Sequence, residues 1–290
     1  MTERVRITVL VENTAESPGL LAEHGLSFWI EAGSQSVLFD TGQGGVLVTN
    51  AYRLGIPLSR VDAIVLSHGH YDHTGGLADA LKGNRPNAIY AHPDAMKTKY
   101  VRNKDGTFRE IGIPYPCAQA VQRHRGQLVL TEKPTPISNG LMATGPVPRV
   151  TEFEDTGGPF FLDAQCANPD PLVDDQAVFF DSKQGTVVLL GCAHAGVINT
   201  LHYVRQLTDG RPIHAVLGGM HLVGASAQRL KRTSDELRKM KIDCLGPAHC
   251  TGRAATAALW DVLPGQCIPC YVGTQVEFDL LAPSTKGVQL

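Results

Sequence analysis

One stretch constrains this chain more than any other: LSHGHYDHTGGL, Leu66 to Leu77, which sets His68, His70, Asp72 and His73 within six positions. Directly before it runs DAIVL, an apolar segment of the kind that forms a buried strand. Residues two apart in extended backbone point the same way, so His68 and His70 can grip one ion together. A tight turn then swings Asp72 and His73 toward a neighbouring position. Imidazole and carboxylate suit Zn²⁺, and also iron or manganese. A single histidine in a strand-to-helix turn is ordinarily a solvated residue. Four metal-capable groups at one strand end are not.

One loop cannot close such a site, so later residues must contribute. In open α/β architectures functional groups collect beyond the carboxyl ends of strands. Four further histidines sit at such places: His92 (IYAHPD), His194 (LLGCAHAG), His221 (VLGGMHL) and His249 (LGPAHC). Small neighbours give His194 and His249 room to approach an ion, and both are expected as ligands. His221 stays open between ligand, substrate contact and core, while His92 is expected to cap the segment after it. His202 and His214 read as structural and His124 as an exposed loop residue.

The order of elements narrows the fold. Val5, Ile7, Val9 and Val11 alternate with more polar neighbours, and LSFWIE and SVLFD follow across the turn-like AGSQ, so the chain opens as a β-meander. Helices are expected near Val46–Leu54 and Pro93–Val101. From about Lys97 to Asn168 the chain is proline-rich and irregular, and reads as an insertion or cap, about 97–168, within a single domain. Its Lys97, Lys99, Arg102, Lys104, Arg109, Arg123 and Arg125 read as a solvated face. If the insertion covers the site, one or two of them would clamp a phosphate. Regularity returns with QAVFFD, TVVLLG, a helix through VINTLHYVRQL, the strand HAVLG and an amphipathic helix over Ala227–Met240. A meander followed by αβ units suits an α+β, αββα sandwich: two mixed β-sheets face to face with helices outside.

Composition excludes some classes. Lys+Arg number 26 against 28 Asp+Glu, a balance unlike the basic stripe of a nucleic-acid binder. No apolar run approaches membrane-spanning length, and MTERVRITVLVEN has no signal-peptide pattern. Seven cysteines, an odd number, point to reduced thiols in a cytoplasm. The C-x-x-C of Cys267 and Cys270 is weak evidence for zinc and is read as structural. A small-molecule substrate is expected, and association into a homo-oligomer is left open.

With these residues placed, the sequence resembles the metallo-β-lactamase superfamily. The resemblance rests on HGHYDH, on LFDTG (Leu38 to Gly42) before it, and on the strand-end histidines after it. EHGLSFWIE, TGPVPR, GCAHAGVINT, GGMHL and AHCTG narrow it to a subfamily that includes an archaeal 7,8-dihydropterin-6-methyl-4-(β-D-ribofuranosyl)-aminobenzene-5′-phosphate synthase. The resemblance implies that His68, His70 and His194 hold one metal and that Asp72, His73 and His249 hold a second. It puts Asp40 behind the ligands. Where hydrolases of the superfamily carry a bridging aspartate, this chain has Cys192, either a thiolate ligand or a small buried cysteine. The implied activity is hydrolysis of a small, phosphorylated or ester-like substrate by a metal-activated hydroxide. Asp72 would orient the nucleophile, His221 or His24 would protonate the leaving group, and both histidines would touch substrate. A condensing synthase is the alternative, and a non-catalytic metal-binding module the third reading.

Overall fold

A computed structural model describes residues 3–281. Along the chain lie β1 (Arg4–Val11), β2 (Ser27–Ala32), β3 (Gln35–Phe39), α1 (Leu47–Arg53), β4 (Ala63–Val65), α2 (Tyr71–Thr74), α3 (Leu77–Leu81) and β5 (Ala88–Ala91). Next come β6 (Tyr100–Arg102), β7 (Phe108–Glu110), α4 (Tyr115–Arg123), β8 (Gln127–Leu130), β9 (Thr135–Ser138), β10 (Leu141–Ala143) and β11 (Phe160–Phe161). The last part holds β12 (Ala177–Asp181), β13 (Thr186–Leu190), α5 (Val197–Leu207), β14 (Ile213–Gly219), α6 (Ala227–Met240), β15 (Cys244–Ala248), α7 (Arg253–Val262) and β16 (Gln275–Asp279).

Two mixed sheets form, in strand orders β16-β1-β2-β3-β4-β5-β8 and β15-β14-β13-β12-β10-β9. The period of two along each strand decides what each face covers. Val37 and Phe39 of β3 point into the space between the sheets, where Val187 and Leu189 of β13 meet them. Leu38 faces the other way, onto Leu47 and Ala51 of α1 and Leu77 of α3. Val188 and Leu190 likewise face α5 and α7 through Ile198, Leu201 and Leu259. Burial on both faces is why β4 and β13 read as unbroken apolar runs. The result is the αββα sandwich that the opening meander and later αβ units imply.

β3, β4 and β5 run parallel in the first sheet, and β13, β14 and β15 in the second. The carboxyl ends of β3 and β4, and of β13 to β15, open on one end of the sandwich, and every candidate ligand leaves from them. The two sheets nearly touch there. A Cβ on Gly191, just past β13, would lie 2.1 Å from Ser67 Oγ beyond β4, so only glycine fits.

Three expectations need correction. The helix expected over Pro93–Val101 is a short 3₁₀ turn, Pro93–Met96, capped by His92 Nδ1, which accepts from Asp94 N at 3.1 Å. The chain then turns extended and bends inward to bury Lys99. The segment 97–168 is not one cap, because α4 packs on the first sheet through Cys117 and Val121, and β8, β9 and β10 extend the two sheets. Only its two ends, with the small sheet β11-β6-β7, stand over the strand ends. Nor are its cations one solvated face: Lys99 is fully buried.

Candidate metal centre

His68 and His70 leave β4 on extended backbone, and their Nε2 and Nδ1 atoms stand 3.0 Å apart. His70 precedes α2, a single turn that rotates Asp72 and His73 to the adjacent position. His194 follows β13 and His249 follows β15. His68, His70, Asp72, His73, His194 and His249 are all buried. Strain accompanies this convergence. Asp40, Ala193, His221 and His249 all have left-handed φ, between 45° and 60°, which non-glycine residues adopt only where surroundings compel it.

Hydrogen bonds fix which nitrogen of each ring carries the proton. His73 Nδ1 donates to Asp40 Oδ2 at 2.7 Å, which leaves Nε2 as the ring atom available to an ion. Ser67 Oγ donates to Asp40 Oδ2 at 2.6 Å and therefore accepts from His68 Nδ1 at 2.9 Å. His194 Nδ1 donates to the Thr156 carbonyl at 2.8 Å, and His249 Nδ1 to Asn13 Oδ1 at 2.9 Å. Every one of these rings thus turns its Nε2 inward. His73 Nε2 faces His249 Nε2 at 3.2 Å, and the buried Nε2 atoms of His70 and His194 have no hydrogen-bond partner. Such an arrangement is repulsive until a cation or proton sits within it. Outer groups that set tautomer and ring angle are what metal-ligating histidines ordinarily carry.

The donors fall into touching groups. His73, His249 and Cys192 offer atoms within 4.8 Å of one another, as do His68, His194 and Cys192, so the thiol stands between the two. Asp72 Oδ2 lies 3.2 Å from His249 Nε2 and 3.9 Å from His73 Nε2. A tetrahedral ion with bonds of about 2.0–2.1 Å has ligand–ligand edges of about 3.3 Å, so these separations fit the chemistry of the set. Protonation fits as well. Burial holds His68 and His194 well below the ordinary imidazole pKa and His70 down to about 3, so these three are neutral. Burial opposes ionisation of Asp72, yet hydrogen bonds from His24 and His249 overcome it and hold the carboxyl well below its usual range. Burial also opposes charge on His73, but Asp40 beside it carries the pKa to about 9, a proton that a bound cation would displace.

His24 and His221 stand at the edge of this cluster. His24 Nε2 lies 3.1 Å from Asp72 Oδ2, its side chain half exposed. His221 stacks near His194 with ring centroids 4.2 Å apart, and its buried Nδ1 has no partner. His92 lies outside the cluster, and His214 pairs with Asp243 at 2.9 Å. Sequence reasoning did not single out Cys250, grouped with Cys192 and His221, nor Asn13 and Glu12, which hold the ring and amide of His249. For Glu12 and Asn13 the available signal was a polar pair at the end of β1. For Cys250 it was adjacency to His249.

The donors floor a cavity of about 300 Å³ whose other walls include Tyr71, Val101, Arg109, Ile111, Phe160 and Val223. Phe160 sits 5.1 Å from the His70 ring and 5.2 Å from that of His194. Arg109 lies over the Tyr71 ring at 5.4 Å, the sole lysine or arginine of that lining. Arg123 and Arg125 instead line a separate hollow of about 470 Å³ with Lys82 and Arg85, at the opposite ends of the parallel strands. They therefore do not reach the donors.

Sequence comparison agrees with this geometry. The sequence profile of the metallo-β-lactamase superfamily matches residues 21–249. The chain belongs to that superfamily. An uncharacterized protein of Methanocaldococcus jannaschii is 34% identical over 257 residues, covering 87% of this chain and 93% of the relative. From the same organism, 7,8-dihydropterin-6-methyl-4-(β-D-ribofuranosyl)-aminobenzene-5′-phosphate synthase is 28% identical, covering 86% of this chain and 88% of its own. Among solved structures, one described as a metal-dependent hydrolase of the β-lactamase superfamily is 29% identical, with a TM-score of 0.80 and coverage of 95% and 99%. Zinc-bound PqqB from Methylobacterium extorquens, 12% identical with a TM-score of 0.55 and coverage of 93% and 99%, shares the fold. Members of this superfamily typically bind metal ions, and the buried His, Asp and Cys groups here are of that kind. Among the described residues no helix is long and apolar enough to cross a membrane.

Proposed function

We propose that this chain is a metal-dependent hydrolase of a small, phosphorylated or ester-like molecule, acting in the cytoplasm. The observation that carries the reading is the convergence of imidazole nitrogens beside Asp72 and Cys192, with the rings of His68, His73, His194 and His249 each oriented by a partner behind it. His68, His70 and His194 would hold one divalent cation, and Asp72, His73 and His249 a second, with Cys192 between them. Zinc suits this set first, iron or manganese next. When bound, such cations lower the pKa of a ligated water and polarise a substrate oxygen. The chain's own groups do the rest. Asp72 orients the nucleophile, with its Oδ2 steadied by His24. His221 faces the cavity and is placed to hold, on its ring, the proton that a leaving group takes. Phe160, Val101 and Ile111 keep water out, and Arg109 is placed for an anionic part of the substrate.

A second reading is favoured by the 28% identical relative named as a synthase: condensation on a phosphorylated substrate held by the same residues. Elemental analysis and substrate screening separate the two. The expected result is about two metal equivalents per chain, falling toward one in His249→Ala, with turnover of a phosphodiester, phosphomonoester or lactone. Turnover confined to a dihydropterin diphosphate together with a ribosyl-aminobenzene phosphate would replace hydrolase by synthase. Wild-type protein without metal would remove both.

A further inference from the structure

Among the described residues Lys99 is the one lysine or arginine without exposed surface, and neither ligation nor the cavity explains it. Its Nζ donates to Asp170 Oδ2 at 2.8 Å and to Asp174 Oδ1 at 2.9 Å. Burial works against the charge, but the two carboxylates outweigh it and keep the amine protonated. Asp174 uses its second oxygen elsewhere: Oδ2 accepts the amide of Gly69 at 2.8 Å. Gly69 is the residue between His68 and His70. A Cβ there would lie 2.3 Å from the Ala95 carbonyl, so the backbone at this point is pressed against its neighbour.

The other flank of His70 leads back to the same lysine. Tyr71 N donates to the Ile111 carbonyl at 2.9 Å, and Ile111 N donates to the Lys99 carbonyl at 2.8 Å. The hydrogen bonds therefore close a ring: Gly69 to Asp174, Asp174 to Lys99, Lys99 to Ile111, Ile111 to Tyr71. His70 is the one residue of the metal loop enclosed by it. Ile111 also lines the cavity, so the ring joins its wall to its floor.

We infer that Lys99 and Asp174 are positioning residues for the metal centre, holding the backbone on both sides of His70 so that its ring meets those of His68 and His194. This inference rests on the metal-binding reading above. A buried ion pair that only fastened the cap to the sandwich would involve Asp170 and Asp174 alike. Positioning distinguishes them, since both carboxylates hold Lys99 but only Asp174 reaches Gly69.

The test is Zn²⁺ affinity of the full chain by chelator competition, with the absorption spectrum of the Co²⁺-loaded protein and thermal melting measured beside it. Asp174→Ala is expected to weaken metal binding about 10- to 100-fold, the usual effect of losing an outer partner of a ligand, and to alter the Co²⁺ spectrum. Asp170→Ala is expected to lower the melting temperature while affinity stays within about threefold. Asp174→Asn keeps an acceptor for the Gly69 amide and should recover part of the affinity. It is also the variant to read if Asp174→Ala does not fold. Equal losses of affinity in Asp170→Ala and the Asp174 variants, or none in either, would overturn the inference while leaving the metal centre standing. Failure of the wild type to bind Zn²⁺ or Co²⁺ would instead sink the reading on which it rests.

Discussion

The floor and the roof of the cavity are built by opposite means. The floor consists of strand ends from two sheets, with rings locked by hydrogen-bonding partners and backbone forced into left-handed φ at four non-glycine positions. The roof is made of short strands, β6, β7 and β11, on which Phe108 is 53% exposed. Its ties to the floor include Thr156 on His194, the Phe160 ring, the Ile111 carbonyl on Tyr71 N and the buried Lys99. Rigid parallel strands can hold donor atoms to a few tenths of an ångström, as catalysis and ligation demand. Away from Lys99 and Ile111, a roof of short strands can differ in shape without moving the strand ends. On the proposed reading, chemistry would belong to the floor and substrate choice to the roof.

If that division holds, substitutions in the floor should abolish activity and those in the roof should change affinity. The largest effect is expected for His68→Ala, which should cost a metal equivalent and about a thousandfold or more in turnover, since the cation supplies several kcal/mol to the transition state. Elemental analysis beside a kinetic assay reads it, and full metal content would break the comparison at once.

Lys99→Met tests the seam between the regions. It leaves two buried carboxylates facing one another, and a denaturant titration should show a loss of about 3–5 kcal/mol. A loss near zero would mean that the roof needs no such tie.

Asp175 belongs to the floor's support. Its Oδ2 accepts from Ala195 N at 2.8 Å, while the buried Oδ1 has no partner. Burial raises its pKa to about 7. For an acid with a raised pKa the folded state holds the proton longer than the unfolded chain does. Its contribution is therefore full at low pH and lost as pH rises from about 4 to about 7. Asp175→Asn should remove that slope and stabilise chelator-treated protein at pH 8 by about 1–3 kcal/mol. Melting curves at pH 5 and pH 8 decide it, and an unchanged slope would rule Asp175 out as its source.

The smallest change is expected from Phe160→Ala in the roof. An aromatic contact of about 0.5–1.5 kcal/mol corresponds to a KM raised about 2- to 10-fold with kcat nearly constant. A fall in kcat instead would make Phe160 part of the floor in all but location.

Much of the floor was legible in the sequence because its signals are local. Spacing put His68 beside His70, and strand-end position picked out His194 and His249 across more than a hundred residues. Period-two alternation and the opening meander indicated the sandwich. The proline-rich middle was harder. Pro134 and Pro136 mark the region around β9, and the short strands β8, β9 and β10 carry too few residues to show a period, yet they complete the two sheets.

What the sequence determined by itself is the chemistry of the donors: five imidazoles, a carboxylate and a thiol can only be neutral or anionic ligands, wherever the chain puts them. What the tertiary structure decided is which nitrogen each ring offers and what stands behind it. His73 depends on Asp40, 33 positions away, His249 on Asn13, and Gly69 on Asp174, 105 positions on. Lys99 shows the limit most plainly. In one dimension a lysine among other cations belongs in water, because desolvating an ammonium is expensive. Only folding brings it two carboxylates at once and makes the interior its lower-energy place.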